Sequence, residues 1–225
     1  MHIQELILHT RHVEKQKAFY CSALGLSLLA ESTDSFSVQA GATRLRFQET
    51  EPDVLYHVAF TIPRHTFHEA KSWVQQRVPL LHKHGEDEIF FAHLNARSFY
   101  FCDPVGNILE YIVHYDLNHE TEGAFGAASV LHVSEVGLPV EDVPALADRL
   151  HKQFAIEPYG GSISENFAFL GDIAGQLVVV KVGRPWLPTE TVQAAVAPVQ
   201  LTITGQREQQ VQLLPYPYTI IVTSS

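Results

Sequence analysis

The feature that most constrains the fold is a repeated order of strand, helix and short strands in the first half of the chain. Ile3–Thr10 alternates like a strand, Val13–Ala23 has apolar residues at helical spacing, and short strand-like segments follow. The same order starts again at Tyr56–Ile62, continues through an amphipathic helix over Arg64–Arg77 and ends at Ile108–Val113. Each unit is a βαβββ module. A curled sheet built from such modules buries one face under helices and leaves the other concave.

A linker and two weaker copies of the module follow. Residues 116–130 are polar and rich in Gly and Ala, which indicates a linker. Strand Ser134–Leu138 and helix Val143–Phe154 then begin a third copy, and the last part of the chain has strand-like segments without a convincing helix. The predicted fold is therefore α+β, with tandem βαβββ modules. A first pair over residues 1–115 would form a complete cup, and residues 131–225 a second, reduced pair.

Composition excludes several classes of function. Of the 225 residues 46% are hydrophobic, enough for real cores, and the formal net charge is −10 without a basic stripe, which argues against a nucleic-acid partner. No apolar run approaches the roughly 18 residues that span a membrane, and the first residues lack the cationic start of a signal peptide. Two cysteines are few for a secreted framework, so the predicted location is the cytoplasm. The oligomeric state stays open, with a homodimer as one option.

Three segments resemble the vicinal oxygen chelate superfamily, which includes glyoxalase I, extradiol dioxygenases, fosfomycin-modifying enzymes and bleomycin-resistance proteins. They are Leu8–Leu26, His57–Ile62 and Arg97–Ile112. The third is the most specific, because it combines an aromatic strand (SFYF), a DPVGN turn and Glu110 three residues after the asparagine. The resemblance implies glyoxalase-like modules around a metal site that binds a small-molecule substrate.

The resemblance also implies one divalent metal ion (Fe, Mn, Zn or Ni) held by Glu5, His57 and Glu110. His57 and Glu110 fall on the ligand positions of the second module, and Glu5 falls by counting on that of the first, where relatives often have His or Gln. In the third module the first-strand position is Glu135, but the last-strand position falls at Val179, so no second complete site is predicted. One imidazole and two carboxylates would leave metal positions open for substrate or water. Each residue taken alone has a structural alternative, as a satisfied core histidine or a strand-end glutamate.

Strand alternation suggests catalytic residues beside these ligands. His9 shares a strand face with Glu5, and His114 shares one with Glu110. Either imidazole could act as a general acid or base, and the alternative is a histidine that only hydrogen-bonds the backbone. Tyr100 is the third catalytic candidate, because the corresponding strand face lines the substrate cup in relatives.

Substrate contacts are predicted at four positions. Thr61 shares the face of the metal ligand on its strand, and Ser98 lies on the strand before the DPVGN turn, on the face that lines the cup in relatives. Arg44 and Arg46 share a face of one strand. If that face is concave, the two guanidinium groups would attract a carboxylate or phosphonate, and if it is convex they form a solvated edge.

These residues leave two classes of function open. The first is a metal-dependent enzyme for a small oxygenated substrate, either a ring-cleaving dioxygenase or a glyoxalase-like lyase or isomerase, in which the metal polarises a carbonyl or enolate oxygen. The second is a protein of the bleomycin-resistance type that sequesters an antibiotic or another ligand without chemistry. Sequestering relatives generally lack the metal triad, so metal content separates the two. A fosfomycin-type thiol transferase is a third option, although such proteins usually have His where Glu5 stands.

Overall fold

The computed structural model describes residues 1–119 and 123–224, which form two curled sheets and three α-helices. The helices are α1 (Val13–Ala18), α2 (Phe67–Gln75) and α3 (Val143–Phe154). The strands are β1 (Ile3–Thr10), β2 (Ser27–Glu31), β3 (Ser35–Ala40), β4 (Thr43–Glu49), β5 (His57–Thr61), β6 (Ile89–Phe91), β7 (Ala96–Cys102), β8 (Ile108–His114), β9 (His132–Val140), β10 (Phe167–Asp172), β11 (Gly175–Lys181), β12 (Val199–Gly205), β13 (Gln209–Gln212) and β14 (Tyr218–Ser224).

Each sheet contains two modules joined through their first strands. The first sheet has the order β13-β14-β12-β1-β4-β3-β2, and the second has the order β10-β11-β9-β5-β8-β7-β6. Within every module the first strand pairs in parallel with the last, and the two first strands of a sheet pair antiparallel. The predicted α+β fold of tandem βαβββ modules in two paired units is thereby confirmed. The third module has two strands after its helix and the fourth has no α-helix between its described strands, so both are reduced.

The pairing of the modules differs from the sequence prediction. We expected the first two modules, residues 1–115, to share one cup, but the first module pairs with the fourth and the second pairs with the third. The reason is that hydrophobic alternation determines which side chains of a strand are buried but not which edge it pairs with. Residues 1–115 therefore contribute to both sheets, and this difference moves the candidate metal site.

One apolar core lies on the helical face of both sheets. It includes Leu6 and Phe47 of the first sheet, Phe60 and Phe99 of the second, and residues of all three helices such as Leu150. The periodicity of the sequence explains this face, because alternate strand residues and one stripe of each helix are apolar. The opposite face of the second sheet is left to carry polar and aromatic side chains.

The DPVGN turn fixes the ends of two strands of the second sheet. Asp103 Oδ1 accepts hydrogen bonds from the backbone N–H groups of Val105, Gly106 and Asn107 at 3.0 to 3.1 Å, and its Oδ2 accepts from Gln16 of α1 at 2.6 Å. Asn107 Oδ1 in turn accepts from the backbone N–H of Tyr56 at 2.8 Å. The turn thus sets the position of the residues immediately before β5 and β8, which carry two of the site residues described below.

Among the described residues, no helix is long and apolar enough to cross a membrane.

Candidate metal centre

Three buried side chains from neighbouring strands of the second sheet form the candidate metal centre. His57 lies on β5, Glu110 on β8 and Glu135 on β9, and potential ligand atoms of all three lie within 4.8 Å of one another. His57 Nε2 is 3.5 Å from Glu110 Oε2 and 3.8 Å from Glu135 Oε2. The three residues are only 2 to 5% exposed, so their polar groups are removed from water.

The strand register explains why these residues meet. Ala59 of β5 pairs with Glu110 on one side and with Glu135 on the other, so the two carboxylates flank one position. His57 lies two residues before Ala59 and therefore points to the same face of the sheet. The small side chain of Ala59 leaves the space above it to the three longer ones.

The ring of His57 has a defined orientation and tautomer. Its Nδ1 lies 3.2 Å from the carbonyl oxygen of Ile108, and because a carbonyl only accepts, Nδ1 carries the proton and donates. Nε2 then keeps a free lone pair on the side of the two carboxylates. A backbone acceptor on the remote nitrogen is the usual support of a histidine that ligates a metal.

Burial strongly perturbs the charges of the centre. It raises the pKa of Glu110 to about 8, an effect to which Glu135 adds and which His57, Ser98 and Tyr100 oppose. Burial likewise raises the pKa of Glu135 to about 8 and lowers the pKa of His57. Both carboxyl groups therefore hold protons at pH 7 when no cation is near, because the charged forms lack solvation. A cation would reverse this preference.

The donor set fits a divalent metal ion. Nitrogen and oxygen ligands at about 2.0 to 2.2 Å from one ion are separated from each other by about 3.0 to 3.5 Å, close to the observed 3.5 and 3.8 Å. The same distances are long for direct hydrogen bonds, so the three groups do not satisfy one another. No Lys or Arg among the described residues forms an ion pair with either carboxylate. A dication would neutralise both, and the buried His/Glu/Glu cluster could therefore hold a metal.

A cavity of about 180 Å³ opens above the three residues. Its walls are mainly aromatic and aliphatic, contributed by Phe91, Leu94, Ile112, Phe167, Phe169, Val178, Trp186 and Leu187. The ring of Trp186 lies 5.2 Å from the ring of His57 and covers Gly137, where a Cβ atom would come within 2.4 Å of the indole. Arg184 is the cation of the lining. The centre thus lies at the bottom of a small apolar pocket, the usual form of a ligand site.

Two predicted residues, Ser98 and Tyr100, lie next to the centre. Tyr100 pairs across the strands with Glu110 and lines the cavity, and Ser98 Oγ donates to the Tyr100 hydroxyl at 3.2 Å. Burial, and to a lesser degree Glu110, raises the pKa of Tyr100 well above its usual value, so this residue is a neutral hydrogen-bonding phenol. Both hydroxyls help to orient the carboxylate of Glu110.

Thr61 and His114 lie on the same sheet at the far ends of their strands. Both are 1% exposed, and neither Thr61 Oγ1 nor the ring nitrogens of His114 have a hydrogen-bond partner among the described residues. Burial lowers the pKa of His114 to about 4, so its imidazole is neutral. These two residues do not line the cavity.

The other predicted site residues lie in the first sheet, apart from the centre. Glu5 and His9 are on β1, and Arg44 and Arg46 are on β4. Glu5 Oε1 lies 3.4 Å from Arg44 Nε, while Arg44 and Arg46 donate to serine hydroxyls of β3 at 3.2 Å. The predicted grouping of Glu5 with His57 and Glu110 is therefore wrong, because the first module pairs with the fourth.

Sequence reasoning missed Glu135 and most of the cavity walls, including Arg184 and Trp186. Glu135 occupies the first-strand position of the third module, but the sequence interpretation treated that module as part of a separate, incomplete cup. Arg184 and Trp186 follow β11 and lie outside the repeat, so no position of the first two modules predicts them. Glu135 could have been identified from the sequence if the second and third modules had been treated as a pair.

Comparisons with known proteins support the fold. No protein-family model matches the chain, and no curated protein does. Among solved structures, a protein of Bacillus subtilis described as a candidate dioxygenase is 15% identical with a TM-score of 0.64, over 99% of this chain and 85% of that one. A lactoylglutathione lyase from Agrobacterium tumefaciens is 17% identical with a TM-score of 0.43, over 51% of this chain and 96% of that one. A glyoxalase/bleomycin resistance protein/dioxygenase from Alicyclobacillus acidocaldarius is 19% identical with a TM-score of 0.41, over 51% and 92%.

Of these three, only the Bacillus subtilis structure has a TM-score above 0.5, and it extends over nearly the whole chain. At 15% identity this likeness establishes the fold alone. The fold expected from the vicinal oxygen chelate resemblance is thereby confirmed.

Proposed function

We propose that this protein is a metal-dependent enzyme in which His57, Glu110 and Glu135 hold one divalent ion and the adjacent cavity binds a small oxygenated substrate. The observation that carries this proposal is the burial of two carboxylates and one imidazole around a common point, where no described Lys or Arg forms an ion pair with them. A buried pair of carboxylates is costly unless a cation compensates it, and a functional metal is the simplest compensation.

The protein groups supply position and exclusion of water. Ile108 holds the ring of His57, and the hydroxyls of Ser98 and Tyr100 support Glu110. The aromatic walls keep solvent away from the bound oxygens, which strengthens electrostatic interactions in the pocket. A metal held by three protein ligands has positions left for substrate, and when bound it would act as a Lewis acid on a substrate oxygen.

Oxidative ring cleavage is the first reaction to examine, because the full-length structural neighbour is described as a candidate dioxygenase. A glyoxalase-like isomerisation or lyase reaction is the second. Both need a substrate with two neighbouring oxygens at the metal, and both predict that the loss of metal abolishes activity. Sequestration without chemistry would instead leave ligand binding intact in metal-free protein.

Two matched substitutions test the metal assignment. Glu135→Gln removes a charged ligand at constant size and should lower metal affinity by at least about a hundredfold, whereas Glu5→Gln should leave it unchanged. Metal content is measured by mass spectrometry after dialysis against Mn²⁺ or Zn²⁺, and thermal unfolding verifies that both variants fold. If wild-type protein takes up no stoichiometric metal, or if Glu5→Gln loses it while Glu135→Gln retains it, the proposed centre is wrong.

A further inference from the structure

Arg184 is a cation of the cavity that has no ion-pair partner among the described residues. It lines the cavity and is half-buried, and its guanidinium lies 4.9 Å from the ring centroid of Phe167. Among the described residues it forms no ion pair, either with the two site carboxylates or with any other acid. Because the guanidinium is half-exposed, water can solvate it, and a bound anion would take the place of that water as a charged acceptor.

Backbone hydrogen bonds hold Arg184 in place. The segment after β11 folds back on itself, with Gly183 N donating to Ala194 O, Ala194 N to Arg184 O, and Trp186 N to Val192 O, each at 2.8 Å. Because the segment is extended there, residues 184 and 186 point to the same side. The stacking contact with Phe167 also limits the motion of the guanidinium. The hydrogen-bonded segment therefore places the guanidinium at the wall of the pocket, against Phe167.

A second hydrogen-bond donor without an acceptor lies two residues further along the same segment. Trp186 is 3% exposed and lines the cavity, and its indole N–H has no acceptor among the described residues. A buried indole N–H normally finds an acceptor. Two neighbouring wall residues thus offer a charged and a neutral donor, and both lack a protein acceptor.

The charges of the metal ion and of the site residues indicate the charge of the ligand. A dication with Glu110 and Glu135 ionised leaves the metal end neutral, so Arg184 gives the loaded site a net charge of about +1. One negative charge on the ligand balances it. The remaining walls are mainly apolar, with His93 and Tyr100 as their polar side chains. A cavity of about 150 Å³ accommodates benzene, so the observed 180 Å³ suits a ligand with one small ring or a short aliphatic body.

We propose that the ligand of this cavity is a small monocarboxylate with an apolar body, whose carboxylate is bound by Arg184 and the indole N–H of Trp186 while its other oxygens lie at the metal end. The inference rests on the proposed function only for that metal end. Arg184 is then the residue that selects acids over neutral analogues of the same shape. A charge-assisted contact of this kind corresponds to about a ten- to hundredfold preference in binding.

The test uses ligands in which the acidic group is remote from the chelating oxygens. Zn²⁺-loaded protein is titrated calorimetrically with 3,4-dihydroxybenzoate and with 3,4-dihydroxybenzamide, since zinc has no redox chemistry that would consume them. Wild-type protein should prefer the acid about ten- to hundredfold. The preference should vanish in Arg184→Gln and persist in part in Arg184→Lys. It should stay unchanged in Arg77→Gln, whose guanidinium lies 3.7 Å from the Trp73 ring centroid, outside the cavity.

Equal affinities for the acid and the amide in wild-type protein overturn the inference, as does a preference that survives in Arg184→Gln. Metal uptake is measured separately, so the two proposals can fail independently. If no metal binds, the proposed function fails, and the metal-free protein is titrated with benzoate and benzamide. An Arg184-dependent preference for benzoate then still supports the anion site, and its absence refutes it.

Discussion

Metal binding should release protons, and the structure gives the number. Glu110 and Glu135 each have a pKa of about 8 when no cation is present. At pH 7 each carboxyl group is therefore mostly protonated, and together they hold nearly two protons. A metal ligand must be ionised, so binding expels these protons. The pKa of His57 is lowered by burial, so the imidazole is already neutral and releases almost none.

The predicted release depends steeply on pH. At pH 8.5 the same two groups hold only about 0.5 proton, so release falls between pH 7 and 8.5. Near pH 7 the apparent affinity should rise about sixtyfold per pH unit, because about 1.8 protons leave for each ion bound. Ordinary surface glutamates would show neither effect, since they are ionised throughout this range.

Calorimetric titration of metal-free protein measures the release. Mn²⁺ is titrated without oxygen in buffers of different ionisation enthalpy at pH 7 and 8.5, because zinc-bound water would itself titrate near neutral pH. Glu135→Gln should release less than one proton and Glu5→Gln the wild-type number. A release below about half a proton at pH 7, unchanged at pH 8.5, would show that the carboxylates are ionised without metal and refute the argument from burial.

Three further predictions concern stability and can be measured by urea unfolding. For the metal-free protein, the two site carboxyl groups have folded pKa values of about 8 against 4.5 when unfolded, so their stabilising contribution is lost as pH rises. Between pH 6.5 and 8 the free energy of unfolding should fall by about 3 kcal/mol, and metal-loaded protein should not show this fall. Asn107→Ala removes the acceptor of the Tyr56 N–H and should cost about 1 to 3 kcal/mol; a neutral result would show that water replaces it. Gly137→Ala should cost about 1 to 3 kcal/mol, because the new methyl group displaces the indole of Trp186, and unchanged ligand binding would contradict that displacement.

Much of the fold could be predicted from the sequence, because local patterns encode it. Alternation and helical spacing predicted the three α-helices and most strands, including a strand over Gln209–Leu214 that the structure has at Gln209–Gln212. The DPVGN motif is informative for a physical reason. Its Asp103 and Asn107 side chains hold the turn and the approach to β5, so the motif reports the positions of His57 and Glu110.

The partner of each module could not be predicted in this way. Pairing depends on edges that lie far apart along the chain, and the period of two is the same whichever edge is chosen. Because the pairing was not known, the sequence interpretation chose Glu5 and not Glu135 as the third residue of the metal centre. Arg184 and Trp186 belong to an irregular segment after β11, where neither period nor repeat constrains a side chain.

Comparison of the two sheets at equivalent positions explains why only one of them carries this cluster. In the second sheet His57 lies two residues before the position that pairs with Glu110 and Glu135. In the first sheet the equivalent of His57 is Glu5, and Ile7, two residues later, pairs with Arg46 and Gln200. One guanidinium and one amide thus replace the two carboxylates. The guanidinium of Arg46 repels a cation, so it does not assist Glu5 in binding one. Glu5 is moreover already in contact with Arg44.

The same comparison bears on the open positions of the centre. Within the third module the equivalent of Glu110 is Val178, which pairs with Gly137 and lines the cavity. This position is one residue away from Val179, which the sequence pattern selected and which belongs to the helical core. Because valine cannot bind a metal, the third module contributes one possible metal ligand, Glu135, where the second contributes two, His57 and Glu110. Among the described residues no further His, Cys, Asp or Glu joins the three, and the cavity lies beside Val178 and Trp186. A ligand entering the pocket reaches the centre from the side that the degraded module has left open.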